Sequence, residues 1–69
     1  SEEEVLKASL QRKIDMLTDY ANVLVDNEYK TNMLALLSEA EKLNTSEEMK
    51  EMISKLDDVL EIINHFGSI

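Results

Sequence analysis

The residues best suited to chemistry lie near the end of the chain, where Glu61 and His65 are four positions apart. On a helix this spacing places both side chains on one face, with Asp58 about one turn earlier, and two ligands at this spacing can share a metal ion. A single histidine with carboxylates lacks the further nitrogen or sulfur ligands that a zinc site uses. We therefore predict no metal site and no cofactor, and interpret His65 as a residue that interacts with the negative end of a helix dipole.

A second group of oxygen ligands, Asp26 to Glu28, resembles the start of a calcium-binding loop. An EF-hand loop requires glycine at its sixth position and glutamate at its twelfth. Those positions hold Thr31 and Leu37 in this chain. The segment is therefore not interpreted as a calcium site.

Paired carboxylates are the remaining candidates for acid–base chemistry. Asp15 and Asp19 are like charges on one helix face, and Arg12 is placed to compensate either of them. A carboxylate becomes a general acid or base only where a pocket desolvates it, and the sequence indicates no pocket. Cysteine is absent and Gly67 is the only glycine, which excludes thiol catalysis and a glycine-rich phosphate loop. We predict that the protein is not an enzyme and has no catalytic residues.

The charge of the chain favours some partners over others. Its 69 residues include 15 acids and 7 bases, a net charge of −8. Such a surface repels nucleic acid and anionic membranes and attracts a basic protein. No apolar run approaches the ~20 residues that span a bilayer. We expect no direct binding of nucleic acid or membrane, and take the cytoplasm as the default location.

The last third of the chain carries the clearest helix signal. Thr45 can accept a hydrogen bond from an amide of the first turn, and Glu48 is placed to reach back to the Thr45 amide. Apolar residues then recur at steps of three and four, which is typical of a heptad seam and predicts helix 3 over about residues 46–66. Gly67 is suited to a left-handed closing turn, after which Ile69 can fold back onto the helix. The seam consists of Met49, Met52, Leu56, Val59, Ile63 and Phe66.

Two further helices are predicted upstream. A second heptad seam predicts helix 1 over about residues 2–25. Asp26 and Asn27 are weak helix formers and good caps, so they predict a break, with helix 2 over about residues 27–43. The apolar stripe also continues through this break, which leaves open one long helix from about residue 2 to 43. The seam of helix 1 is formed by Leu10, Ile14, Leu17, Ala21 and Leu24.

These helices predict an all-α fold, a small antiparallel three-helix bundle in a single domain over residues 1–69. The alternative is a two-helix hairpin that dimerises into a four-helix bundle, because a hairpin cannot bury its own apolar faces. A core in a chain this short contributes no more than ~3–5 kcal/mol. Good helix packing, a homodimer or another partner is therefore expected to add stability.

Apolar residues beside the heptad seams predict where a partner binds. Helices 1 and 3 each carry more apolar surface than one neighbouring helix covers, and burial within the bundle is favoured over docking for the strip on helix 1. Because the sequence shows no catalytic constellation, we predict a non-enzymatic protein–protein interaction module. Such a module would be a small acidic regulator, inhibitor, adaptor or assembly subunit. The alternative is an acidic nucleic-acid mimic that blocks a nucleic-acid-binding protein. The predicted partner-binding residues are Met16, Asp19, Tyr20, Val23, Leu60, Glu61 and Ile62.

Overall fold

Three α-helices make up the computed structural model, which describes residues 1–67. They are α1 (Glu2–Asn22), α2 (Glu28–Ala40) and α3 (Ser46–Gly67), and this part of the chain contains no strand. The all-α class and the three-helix bundle are thereby confirmed. The single long helix over residues 2–43 is wrong, because the backbone leaves the helical conformation between α1 and α2.

The connection between α1 and α2 is fixed by local polar contacts. The side chain of Asn27 accepts a hydrogen bond from the Lys30 amide at 3.0 Å and so caps α2. The Lys30 ammonium turns back over the connection, where it lies 3.1 Å from Asp26 Oδ1 and 3.4 Å from the Leu24 carbonyl oxygen. These contacts compete with helix continuation, and α1 ends at Asn22, three residues before the predicted end.

The connection between α2 and α3 begins earlier than predicted. The last helical residue of α2 is Ala40, and the Leu43 amide donates to the Ala40 carbonyl in a tighter turn. The Thr45 hydroxyl then accepts from the Glu48 amide at 3.3 Å, which is the predicted cap of α3. The Glu48 carboxylate accepts from the Thr45 hydroxyl, at 2.7 Å, where the sequence predicted a bond to the Thr45 amide.

The predicted glycine stop is wrong. The helix α3 includes Gly67, and no glycine within residues 1–67 has a positive φ. Gly67 therefore does not adopt the left-handed conformation that the sequence predicted for it. The predicted return of Ile69 onto the last turn lies outside the described residues.

The core is built from the heptad seams of all three helices. Leu17, Met49 and Leu56 are the largest side chains that are fully buried. Because α1 packs against both other helices, its seam lies at the centre of this core, whereas α2 and α3 approach each other little. The remaining buried residues are Leu10, Ile14, Ala21, Met33, Leu37, Ala40 and Met52.

Two ion pairs are formed between α1 and α3. The Lys50 ammonium lies 2.8 Å from Glu2 Oε1, and the Lys13 ammonium lies 3.3 Å from Asp57 Oδ1. The order of the paired residues is the same on both helices, so α1 and α3 begin at the same end of the bundle. An up-down-up bundle requires this of its first and third helices. The antiparallel packing of consecutive helices stays a prediction.

The second apolar strip of α1 is not buried within one chain. Val5, Met16 and Val23 are exposed, and Tyr20 is half-buried. The burial that the sequence favoured for this strip is therefore wrong, because α2 and α3 both pack on the seam side of α1. The strip stays available to a partner.

We expect Leu17→Ala to lower the free energy of unfolding by about 2–5 kcal/mol, because it removes a fully buried side chain and leaves a cavity. This loss is comparable to the whole stability of a core of this size. Urea denaturation followed by circular dichroism measures it. Met16→Ala, at the neighbouring exposed position, is the control, and an equal loss in both variants would contradict the assignment of the core.

The ion pair between Glu2 and Lys50 predicts a pH dependence. A hydrogen bond and the charge of Lys50 lower the pKa of Glu2 from its ordinary 4.5, and Glu2 raises the pKa of Lys50 from 10.5. Stabilisation through Glu2 is therefore present above pH 4.5 and disappears as the pH falls through its folded pKa. Stabilisation through Lys50 is lost as the pH rises through its folded pKa.

We expect Glu2→Gln to lower the melting temperature slightly at neutral pH, and to have no effect at a pH where the wild-type carboxyl is protonated. The effect is small because both side chains are exposed to solvent, which screens the pair. Thermal unfolding at both pH values measures it. Glu3→Gln, which removes the same charge from the same turn, should leave the melting temperature closer to the wild-type value at neutral pH.

Candidate partner-binding surface

The predicted partner-binding residues on helix 1 differ in their surroundings. Met16 and Asp19 are exposed on α1, and Val23, just beyond its end, is 81% exposed. Tyr20 is half-buried and packs against the core. Three of these four predicted residues are therefore accessible to a partner.

The predicted residues on helix 3 also separate into two groups. Leu60 is half-buried and packs against the core, which limits what it can offer a partner. Glu61 and Ile62 are exposed, and the Ile62 side chain is accessible over 57% of its surface.

Only some of these residues come together. Tyr20 and Ile62 line one depression at the end of α1 and α3, together with Tyr29, Ile63 and Phe66. Glu61 and Ile62 line a neighbouring depression. Met16, Asp19, Val23 and Leu60 line neither depression. Ile62 is thus the point at which the predicted residues of α1 and α3 meet.

A more apolar feature runs between α2 and α3, and we name it the α2/α3 groove. It has a volume of about 290 Å³ and ends at Ile62. Polar end groups in its lining are limited to the Tyr29 hydroxyl and the Asn32 amide. The groove is lined by Tyr29, Asn32, Met33, Leu36, Val59 and Ile62.

The α2/α3 groove follows from the lengths and packing of the helices. The 13 residues of α2 span about 20 Å, whereas the 22 residues of α3 span about 33 Å. Both helices pack on α1 more than on each other. The seam of α3 is therefore buried at Met49 and Leu56, half-buried at Val59, and exposed at Phe66.

Sequence reasoning did not assign Tyr29, Leu36 and Val59 to partner binding. Tyr29 and Leu36 lie on the apolar face of helix 2, and Val59 belongs to the predicted seam of helix 3. Such apolar positions predict burial for each of them. The sequence signal that bears on them is the excess width of the apolar arc on helix 3. That width indicates a missing neighbour without showing where the gap lies.

Chemistry other than binding finds little support in the geometry. Among residues 1–67, no three histidine, cysteine or carboxylate side chains are grouped so as to hold a metal ion. His65 packs edge-on against Phe66, with ring centroids 5.1 Å apart. The carboxylate of Asp15 accepts a hydrogen bond from Gln11 at 2.9 Å, where the sequence placed Arg12.

Tyr20 of α1 and Tyr29 of α2 line the same depression beside the α2/α3 groove. Partial burial raises the pKa of Tyr29 above its ordinary value of 10.0, and interaction with the neighbouring Tyr20 hydroxyl raises this pKa further. Because Tyr29 stays neutral at physiological pH, it presents an uncharged ring to a partner and keeps one polar end.

No family model matches the chain, and comparisons with curated proteins and with solved structures found no match. No helix within residues 1–67 is long and apolar enough to cross a membrane.

We expect Tyr20→Phe to lower the pKa of Tyr29 relative to the wild type and to leave it above 10.0, because burial is the larger cause of the shift. Titration followed by the ¹³Cζ chemical shifts resolves the two tyrosines. An unchanged Tyr29 pKa in this variant would show that the two hydroxyls do not interact.

Proposed function

We propose that the protein is a non-enzymatic protein–protein interaction module that binds through apolar helix faces, as a small acidic regulator, inhibitor, adaptor or assembly subunit. The observation that carries this proposal is the α2/α3 groove, an apolar surface between two helices that ends at the exposed side chain of Ile62. Contiguous exposed apolar patches mark interaction sites and ligand-binding grooves.

The composition of the groove suits binding to a protein. Apolar surface contributes about 25 cal/mol per Å² when a partner removes it from water. Tyr29 can contribute a large contact area together with a hydrogen-bonding hydroxyl, and aromatic residues are enriched in the centres of interfaces. Met33 adds a flexible side chain that can adapt to the shape of a partner.

The predicted partner-binding residues differ in their expected contribution to binding. Ile62 lines the α2/α3 groove, and Glu61 and Tyr20 line the depressions beside it, so we expect these three residues to contact the partner. Met16, Asp19 and Val23 form a second accessible area on and after α1. Leu60 acts mainly through packing against the core.

We expect Ile62→Glu to reduce capture of the cognate partner at least tenfold, because it places a charge at the end of the groove. The experiment immobilises wild-type and variant protein, incubates each with lysate of the source cells, and quantifies bound proteins by mass spectrometry. Val5→Glu introduces the same charge at an exposed apolar position on the first turn of α1. Circular dichroism must show that both variants keep their helix content.

A set of bound proteins that is the same for wild type, Ile62→Glu and Val5→Glu would contradict the proposal. Sensitivity to the first substitution alone supports it. If the proteins lost on Ile62→Glu bind nucleic acid and are released by excess DNA, the acidic-mimic alternative is favoured instead.

A further inference from the structure

We propose that the occupant of the α2/α3 groove is a basic amphipathic helix of another protein, which packs as a fourth helix against α2 and α3. This inference rests on the proposed function and specifies its partner. It is carried by the shape of the groove and by the distribution of charge around it.

The shape of the groove fits a helix. It lies between two helices, and along α2 it extends from Tyr29 to Leu36, seven residues or about 10 Å. Residues at i, i+3 or i+4, and i+7 of a partner helix form a ridge of the same length. Such a ridge would complete the layer of side chains that Met33 and Val59 begin.

Two acidic side chains that form no salt bridge with residues 1–67 lie at the end of the groove. Asp58 and Glu61 line the depression next to Ile62 and are exposed, and neither forms a salt bridge to any residue between 1 and 67. We name these two residues the acidic edge. At the same end of the bundle, Asp19 near the end of α1 is also exposed and takes part in no salt bridge with the described residues.

Two lysines near this part of the bundle form ion pairs with other carboxylates. The Lys13 ammonium lies 3.3 Å from Asp57, and the Lys30 ammonium lies 3.1 Å from Asp26. Lys55 lies one turn before Asp58 on α3, but no lysine or arginine among residues 1–67 forms a salt bridge with the acidic edge. A helix that carries lysine or arginine beside its apolar ridge supplies the missing charge.

A second copy of the chain fits this surface less well. A symmetric dimer brings the same patch of both copies together. Two acidic edges would then lie in one interface, between chains that each carry a net charge of −8. Repulsion between them opposes self-association, whereas a basic helix gains from the same charges.

The test uses two synthetic peptides of about 18 residues with an identical ridge of leucines. One carries lysine and arginine beside the ridge, and the other carries glutamate at those positions. Each is titrated into the isotope-labelled full chain at low ionic strength and followed by NMR. We expect the basic peptide to bind at least tenfold more tightly and to shift the signals of Tyr29, Leu36 and Ile62.

Charge reversal tests the acidic edge itself. We expect the double substitution Asp58→Lys and Glu61→Lys to weaken binding of the basic peptide about tenfold, since it replaces two favourable pairs by repulsion. Glu39→Lys with Glu41→Lys makes the same change in net charge near the other end of α2, away from the groove, and should weaken binding much less. Equal weakening by both double variants would show only general attraction to an acidic protein, and would overturn the inference.

Other outcomes also separate the inference from the proposed function. Equal binding of the two peptides, or binding of neither while capture of a cellular partner still depends on Ile62, overturns the basic helix and leaves the interaction module intact. A dimer in sedimentation equilibrium that Ile62→Glu dissociates assigns the groove to a second copy and also overturns the basic helix. Capture that does not depend on Ile62 contradicts the proposed function itself.

Discussion

The packing of one helix against two others is the constraint on which the rest of the structure depends. The seam of α1 contacts both α2 and α3, and Leu17 at its centre is fully buried. The two outer helices are held mainly through this shared neighbour. Because they make little contact with each other, the bundle is closed on the side of α1 and open on the side of the α2/α3 groove.

The residues that stabilise the bundle and the residues left exposed for a partner lie on different parts of α3. The residues that stabilise the bundle, such as Met49 and Leu56, lie where α3 meets α1, whereas Ile62 and Phe66 continue the same helix beyond that cover. A partner can therefore bury additional apolar surface without disturbing the existing core. Since a core of this size contributes no more than ~3–5 kcal/mol, such a partner would also stabilise the folded chain, because it binds the native state alone.

Charge divides the surface in a similar way. Lys13 and Lys50 join α1 to α3 through ion pairs, and Lys30 closes the connection before α2. Lys13 and Lys30 are thus paired with other carboxylates, whereas the exposed Asp58 and Glu61 form no salt bridge among residues 1–67. The net charge of −8 is spread over the whole chain, and Asp58 and Glu61 place part of it at one edge of the groove.

The sequence by itself determined the helical class and most of the core, and it favoured three helices over two, because heptad spacing and caps such as Asn27 and Thr45 act within a few residues of one another. It also indicated an excess of apolar surface and placed Ile62 within it. Only the tertiary structure decided which part of that surface is left uncovered, because exposure depends on helix length and on which helices touch. Heptad spacing is the same at Leu56, which is buried, and at Phe66, which is exposed, and only the position of α1 and α2 distinguishes them.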